Sequence, residues 1–414
     1  MNDNTVMLAL IGTGGIAGHH IRSMAELKSL GLGDFHVSAV CDVNQEAAEL
    51  AAHTLEEVMG HRPAVYTDYE KLLSSEDLDG ADLCLPHGLH HVIGNACMEA
   101  GLHVLCEKPL GITIAASRLM AETADRTGRI LSTAVPKRRE PSQRAVYWLF
   151  NESGLIGEPL AFFHHYTVAP RIRDRPDVPL PERVRWRQDR TRSGGGPVMD
   201  SGFHYCDSLR YLLGEVEKVY AEARAIGSGS IRLLSDSRED TVMVIFTFQS
   251  GVIGSWSWTM AARGSQSSDI TFYCSQGSLK DTSSNPFRIF HLFERRGEAP
   301  ERMEQGLIVT AEGAEMSLLE LEAAHLNALH EDRREFLFPQ GVSDGFTYEI
   351  WEFLECVRGK RAKPEVDGWE GLRSLAVCEA VYESAFIGAP VLVDDVASGK
   401  CRAYQADIDQ HWGL

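Results

Sequence analysis

The strongest constraint on this chain is local: Gly12-Thr13-Gly14-Gly15-Ile16-Ala17 follows directly on the apolar run Val6–Ile11. An apolar run of this length between polar flanks reads as a buried strand. A G-x-G-x-x-A turn between that strand and a helix suits a dinucleotide. The first glycine permits the tight turn, the second lets backbone approach a pyrophosphate, and a small third residue lets helix and strand pack closely. The start of the helix then offers oriented N–H donors to an anion. Gly12, Gly14, Gly15 and Ile16 are therefore candidate cofactor contacts.

The pattern continues as alternation. Further apolar runs occur at Val37–Cys41, Val65–Thr67, Ala81–Leu85, His103–Cys106 and Ile130–Ala134. Between them lie stretches of helical period, Gln45–Met59, His90–Ala100 and Ile114–Thr127, the last stopped by Gly128. Strand–helix alternation predicts a parallel sheet with helices on both faces, so residues 1–136 read as a doubly wound Rossmann domain. After Pro136 the texture changes. Strands are expected at Leu160–Val168, Val216–Ala225, Thr241–Phe248, Val252–Met260 and Ile270–Cys274, the third and fourth forming a hairpin. Helices are expected at Thr347–Val357 and Gly368–Phe386. Residues 137–414 therefore read as an α+β domain around an antiparallel or mixed sheet. The Glu- and Arg-rich stretch 291–345 gives no assignable pattern.

Asp42 closes the second predicted strand. A carboxylate there can accept hydrogen bonds from both adenosine ribose hydroxyls and repels a 2′-phosphate. No basic residue follows it directly, which favours NAD over NADP.

Composition excludes several classes. Forty Lys and Arg against 59 Asp and Glu give a formal net charge of −19, which disfavours nucleic-acid or anionic-membrane partners. No stretch approaches the ~20 apolar residues of a membrane span, and no signal peptide is evident, so a cytoplasmic location is expected. The nine cysteines show neither a paired framework nor zinc spacing, so no metal is expected.

Two stretches carry chemistry. Cys106-Glu107-Lys108-Pro109 sits at the end of a predicted strand, where open α/β sheets place their ligands. In Gly194-Gly-Gly-Pro-Val-Met-Asp200-Ser-Gly-Phe-His204-Tyr-Cys-Asp207, a continuous helix would set Asp200 and His204 on one face, with Asp207 a turn beyond. A carboxylate, an imidazole and an amine suit alcohol oxidation: a base takes the hydroxyl proton and a cation steadies the developing alkoxide. The adjacent pairs His19-His20, His90-His91 and His164-His165 point apart on a helix or strand and read as structural, not chelating.

Together these stretches resemble the glucose–fructose oxidoreductase/inositol dehydrogenase/MocA family of NAD(P)-dependent sugar oxidoreductases, over nearly the whole chain. The likeness runs through the glycine turn, Pro86 to His90, Glu107-Lys108-Pro109, Trp186-Arg187, the Gly-rich segment with Asp200 and His204, the hairpin near Gly251, and Leu372 to Val391. The resemblance implies that Lys108 contacts the reacting hydroxyl, His204 is the general acid/base, and Asp200 binds substrate or orients His204. It also implies that Pro86, His90, Glu107, Lys108 and Trp186 contact the cofactor and that Lys108–Pro109 can be cis. It implies further that residues 137–414 form a substrate-binding and oligomerisation domain with an open, mostly antiparallel sheet, and that subunits associate as homo-oligomers. Leu85 and His87 depart from the family's usual threonine and asparagine.

Eight arginines lie between Arg171 and Arg192, an unusual density in so acidic a chain. They suggest an anionic substrate group, or else a solvated or subunit-contact loop. Arg138, Tyr166 and Arg187 join Lys108, Asp200 and His204 as candidate substrate contacts, with Lys137 and Arg139 as possible contributors. The expected activity is hydride exchange between NAD and a hydroxyl-bearing carbon of a sugar or inositol. The alternatives are a redox-neutral NAD-dependent glycosidase acting on an anionic glycoside, with Tyr166, Tyr205 or His165 as extra acid/base groups, and a non-catalytic NAD or sugar sensor.

Overall fold

A computed structural model describes residues 5–169, 181–234, 238–282 and 306–414, with the side chains of 182 and 183 excepted. The chain divides into two units. In residues 1–136 the elements run β1 (Val6–Ile11), α1 (Ala17–Ser29), β2 (Phe35–Cys41), α2 (Gln45–Met59), β3 (Ala64–Tyr66), α3 (Tyr69–Ser75), β4 (Gly80–Leu83), α4 (His90–Glu99), β5 (His103–Glu107), α5 (Ile114–Thr127) and β6 (Leu131–Ala134). The six strands form one parallel sheet in the order β3-β2-β1-β4-β5-β6, the doubly wound order whose reversal lies between β1 and β4. Side-chain alternation explains the two-sided covering. Val6, Leu8 and Leu10 of β1 pack on the α1 and α2 side, while Ala9 and Ile11 pack on the α4 side. Local signals end the helices as read: Asn44 and Thr113 cap α2 and α5, and Gly60 and Gly128 close them in the left-handed conformation.

From Lys137 the chain builds the second unit, with α6 (Pro141–Asn151), β7 (Pro159–Thr167), α7 (Glu182–Arg185), α8 (Arg190–Ser193), α9 (Pro197–Asp200), α10 (Gly202–Leu213), β8 (Val216–Arg224), β9 (Thr241–Phe248), β10 (Ile253–Thr259), β11 (Ser267–Cys274), β12 (Gly277–Asp281), β13 (Gly306–Thr310), β14 (Glu315–Ser317), α11 (Leu318–Ala328) and α12 (Glu331–Leu337). The expected β9–β10 hairpin is present. The sheet is open and nine-stranded, β14-β13-β12-β11-β7-β10-β9-β8-β15, and antiparallel apart from the parallel β7–β10 pair. One face buries Phe162, Phe246, Trp256, Trp258 and Phe272; the other exposes Phe163, Met243, Ile245, Ile253 and Tyr273.

The remaining elements are α13 (Gly345–Val357), α14 (Gly368–Ile387), β15 (Val391–Leu392), α15 (Val393–Ala397) and α16 (Ala406–Trp412). They correct the domain reading. Residues 338–373 belong to the first unit, not to a continuous 137–414 domain. Tyr348, Ile350, Trp351, Phe353 and Leu354 of α13 complete the core on the α1 side of the parallel sheet. A helix distant in sequence thus buries part of the Rossmann sheet, which no local pattern announces. Of the unassigned stretch 291–345, residues 291–305 lie outside the described set, and the remainder forms β13, β14, α11, α12 and the approach to α13.

Candidate active site

In the first unit the candidate residues gather at the carboxyl edge of the parallel sheet. Gly12 leaves β1 at φ +90°, and a Cβ there would stand 2.3 Å from the Cys84 carbonyl oxygen, so glycine is obligatory on two counts. Gly14 and Gly15 are exposed, and a Cβ on either would meet nothing within 4 Å. Helix α1 has Ile16 at its N-cap position, with no side-chain cap and no acidic residue in its first turn. An open glycine cradle at an uncapped helix start fits a pyrophosphate. Asp42, just past β2, accepts hydrogen bonds from the Thr13 amide (2.8 Å), the Thr13 hydroxyl (3.1 Å) and the Asn44 amide (2.9 Å). It therefore ties the glycine turn to the end of β2, and the neighbouring Val43 is 93% exposed. These residues fit the adenosine half of NAD.

Lys108, half-buried, follows β5 directly, and the Lys108–Pro109 peptide is cis. Glu107 does not face outward. It is buried, and its Oε1 lies 3.2 Å from His20 Nε2, while its Oε2 accepts the Lys108 amide at 3.0 Å. His20 Nδ1 lies 2.8 Å from Asp82 Oδ2, so one imidazole links α1, β4 and β5. Burial opposes the His20 charge, but the Asp82 carboxylate outweighs it and raises the pKa well above the ordinary value. Burial likewise opposes the Glu107 charge, but hydrogen bonding to His20 and the charges of His20 and Lys108 hold that pKa below the ordinary range. Among the described residues, His20, Asp82 and Cys84 lie close enough to hold a metal ion. Each His20 nitrogen already faces a carboxylate oxygen, and burial pushes the Cys84 thiol up to about 12, so the donor set suits a proton better than a metal.

Pro86 precedes a 3₁₀ turn, His87–Leu89. His90 needs correction as a direct cofactor contact. It is fully buried, with Nδ1 2.8 Å from the Pro109 carbonyl and Nε2 2.9 Å from the Leu85 carbonyl. Burial lowers its pKa. It links the loops after β4 and β5.

In the second unit, Asp200 ends α9 and His204 lies in the first turn of α10. The expected continuous helix is interrupted at Ser201, which keeps right-handed helical angles (φ −92°, ψ −29°). Both side chains are half-buried. Arg187 Nε lies 3.5 Å from Asp200 Oδ2, and its guanidinium sits over the Trp186 ring, 4.3 Å from the centroid. Trp186 therefore supports Arg187 and, through it, Asp200.

Several candidates are overturned as substrate ligands. Arg138 is buried and donates from Nε and Nη2 to Asp207 at 2.8 and 2.7 Å. That pair also removes Asp207 from the proposed stripe, and Ser374 donates to the same carboxylate at 2.7 Å. Lys137 is buried on Glu140 at 2.6 Å, and Arg139 is buried. Tyr205 is buried and stacked on Trp256 at 4.4 Å, which excludes it as a solution acid. His165 is exposed and bonds Ser257, whereas Tyr166 is half-buried on the same face of β7 as Phe162 and His164. Of the arginine cluster, Arg171, Arg173 and Arg175 lie outside the described residues, as does the side chain of Arg183. Arg185 and Arg192 are exposed, and Arg190 bonds the Tyr404 carbonyl and Asp407.

Two supporting residues escaped the sequence reading. One is His20, set aside there as a structural member of a histidine pair. The other is Glu239, buried against the Gly-rich segment. The strand preceding His20 and the helix around it gave no hint of two carboxylates arriving from β4 and β5. Glu239, between Arg238 and Asp240, reads in sequence as one more charge of a polar stretch.

Comparison with known proteins agrees with both units. Residues 6–135 match the family model described as oxidoreductase family, NAD-binding Rossmann fold, and residues 152–393 match the one described as oxidoreductase family, C-terminal alpha/beta domain. The uncharacterized oxidoreductase YrbE of Bacillus subtilis is 22% identical over 94% of this chain and 97% of its own length. The 1,5-anhydro-D-fructose reductase of Ensifer adhaerens is 35% identical over 45% of this chain, which spans only 52% of that relative. The WlbA dehydrogenase from Bordetella pertussis, solved with NADH and UDP-GlcNAcA, superposes with a TM-score of 0.68 at 24% identity, covering 95% of this chain and 99% of that one. With the NAD-binding half and the open-sheet half both matched, the chain belongs to the glucose–fructose oxidoreductase/inositol dehydrogenase/MocA oxidoreductase family.

Proposed function

We propose that this protein oxidises a secondary hydroxyl of a sugar or related polyol, or reduces the corresponding ketone, with NAD as its redox partner. The observation that carries the reading is the carboxyl edge of the parallel sheet, where the Gly12 turn, Asp42 and Lys108 follow β1, β2 and β5. NAD, held along Gly12–Ile16 and Asp42, supplies the hydride acceptor. In this reading His204 takes the hydroxyl proton as the hydride departs, leaving a carbonyl on the substrate. The Lys108 ammonium donates to the same oxygen and stabilises its developing negative charge. Asp200, steadied by Arg187, orients His204 or accepts a neighbouring sugar hydroxyl.

The sugar class rests on the relatives, among them a reductase of an anhydro-sugar and a dehydrogenase solved with a sugar nucleotide. Among the described residues no helix is long and apolar enough to cross a membrane. A cytoplasmic setting belongs to the same reading, supported by nine free cysteines. So does a homo-oligomer, supported by the apolar outer face of the sheet around Met243, Ile245 and Ile253. Sedimentation of the wild type beside Ile245→Asp tests it, since a monomeric wild type would remove that part.

The deciding assay incubates protein and NAD with neutral and anionic sugars and their aryl glycosides, following NADH absorbance and aglycone release together. Stoichiometric NADH is expected, and its rate of formation should fall by about 10²–10⁴ in Lys108→Met and His204→Ala with NAD binding retained. Aglycone release at catalytic NAD without lasting NADH would replace the dehydrogenase by a redox-neutral glycosidase. Full activity in Lys108→Met would remove the assignment of Lys108.

A further inference from the structure

The Gly194-Gly195-Gly196 run has a partner that its sequence does not reveal. Pro197 at the first position of α9 has no N–H, so the helix start presents the amides of Gly196, Val198 and Met199. Glu239, 2% exposed, accepts from Gly196 N–H at 3.0 Å through Oε2 and from Val198 N–H at 2.8 Å through Oε1. Tyr382 of α14 donates its hydroxyl to Glu239 Oε1 at 2.8 Å. The same hydroxyl oxygen accepts from the amides of Gly196 (3.0 Å) and Met199 (3.1 Å). Tyr404 lies parallel to Tyr382 at 4.6 Å and donates to the Gly194 carbonyl at 3.1 Å. The glycines are required by this closeness. A Cβ on Gly195 would stand 2.3 Å from the Tyr382 hydroxyl, and one on Gly196 would stand 2.5 Å from Glu239 Oε2.

We propose that Glu239 and Tyr382 are positioning residues that fix the start of α9, and with it Asp200 and the His204 that follows across Ser201. The inference rests on the reading of Asp200 and His204 as active-site residues, but the contacts themselves do not. Geometry alone makes Glu239 the anchor, since it is the acceptor for two amides of a segment more than forty residues away. Burial pushes its pKa up to about 7, against the amide of Val198, the hydroxyl of Tyr382 and the charge of Arg238. The other titratable groups around it are Tyr382 and Tyr404, with Arg190 and Glu379 beyond Tyr404. Protonation of Glu239 turns one accepting oxygen into a donor facing N–H and O–H groups. The hold on α9 should therefore loosen as pH falls through neutrality.

The test is backbone hydrogen exchange, corrected for intrinsic pH dependence, of a peptide covering residues 194–204 in the full-length protein at pH 8 and pH 6. At pH 8, Glu239→Gln and Tyr382→Phe should each raise exchange about tenfold, the loss of one buried hydrogen bond. The wild type should gain exchange at pH 6, whereas Glu239→Gln should show no such step. The turnover number on the first sugar that the wild type oxidises should fall in both variants and lose its step near neutrality in Glu239→Gln, with NAD affinity unchanged. Exchange within about twofold of wild type in both variants, or wild-type protection independent of pH, would overturn the proposal. If Glu239→Gln fails to fold, Tyr382→Phe and the wild-type pH series still decide it. Full turnover in His204→Ala with the exchange result intact would instead leave the contacts standing and sink the catalytic reading.

Discussion

Replacing His20 by alanine tests how the carboxyl edge of the first unit's parallel sheet is held. His20, Asp82 and Glu107 are 0, 1 and 5% exposed, so the variant leaves two buried carboxylates without the cation between them. At an effective dielectric near 20, one ion pair at contact distance is worth about 4 kcal/mol, part of it spent on desolvation. Removing one partner of a buried pair costs about 3–5 kcal/mol, and that is the loss expected here. The pH dependence follows from the two shifts. His20 is raised above 6.5, so its contribution is complete below that pH and is lost as pH rises through the folded value. Glu107 is held below 4.5, so its contribution is present above that pH and is lost as pH falls through the depressed value. The deficit of His20→Ala should therefore peak near pH 5–6 and shrink as pH rises through the raised folded value of His20. Differential scanning calorimetry of the two proteins across a pH series rising from 6 measures it, the first unit's transition being the one that added NAD raises. A deficit below about 1 kcal/mol at pH 6, or one that grows as pH rises, would refute the reasoning.

Three further outcomes follow from single contacts. Asp42→Ala should weaken NAD binding about 10- to 100-fold in a fluorescence titration, the scale of a hydrogen bond to a charged group, and should narrow the preference over NADP; unchanged affinities for both would remove Asp42 from the site. Gly12→Ala forces a Cβ into the Cys84 carbonyl at positive φ, so it should lower the NAD-responsive melting transition and abolish NAD binding; wild-type melting would contradict the described turn. Arg138→Met should destabilise the second unit by about 3–5 kcal/mol in urea unfolding, and adding Asp207→Asn should recover part of that. Additive losses in the double variant would mean that the pair is not coupled.

Much of this protein was legible in its sequence because the controlling interactions there are local. The glycine turn, the β/α alternation, Asp42 at the end of β2 and Gly128 closing α5 each depend on backbone geometry within a few residues, and periodicity reports that directly. The segment with Asp200 and His204 stands out for the same reason, as a compact cluster of chemistry-bearing side chains. What lay outside its reach depends on residues brought together from far along the chain. Arg138 looks like a ligand until Asp207 claims it in the interior, and His90 looks like a contact until two backbone carbonyls do the same. His20 is an unremarked helix residue until β4 and β5 bring carboxylates to both its nitrogens, and Glu239 has no meaning without the amides of α9. Helix α13 joins the Rossmann unit across some two hundred residues because the parallel sheet has apolar area there to bury. Local rules set the conformation of each segment, whereas the partner of a buried charge or apolar face is chosen only when the segments meet, since burial makes pairing obligatory.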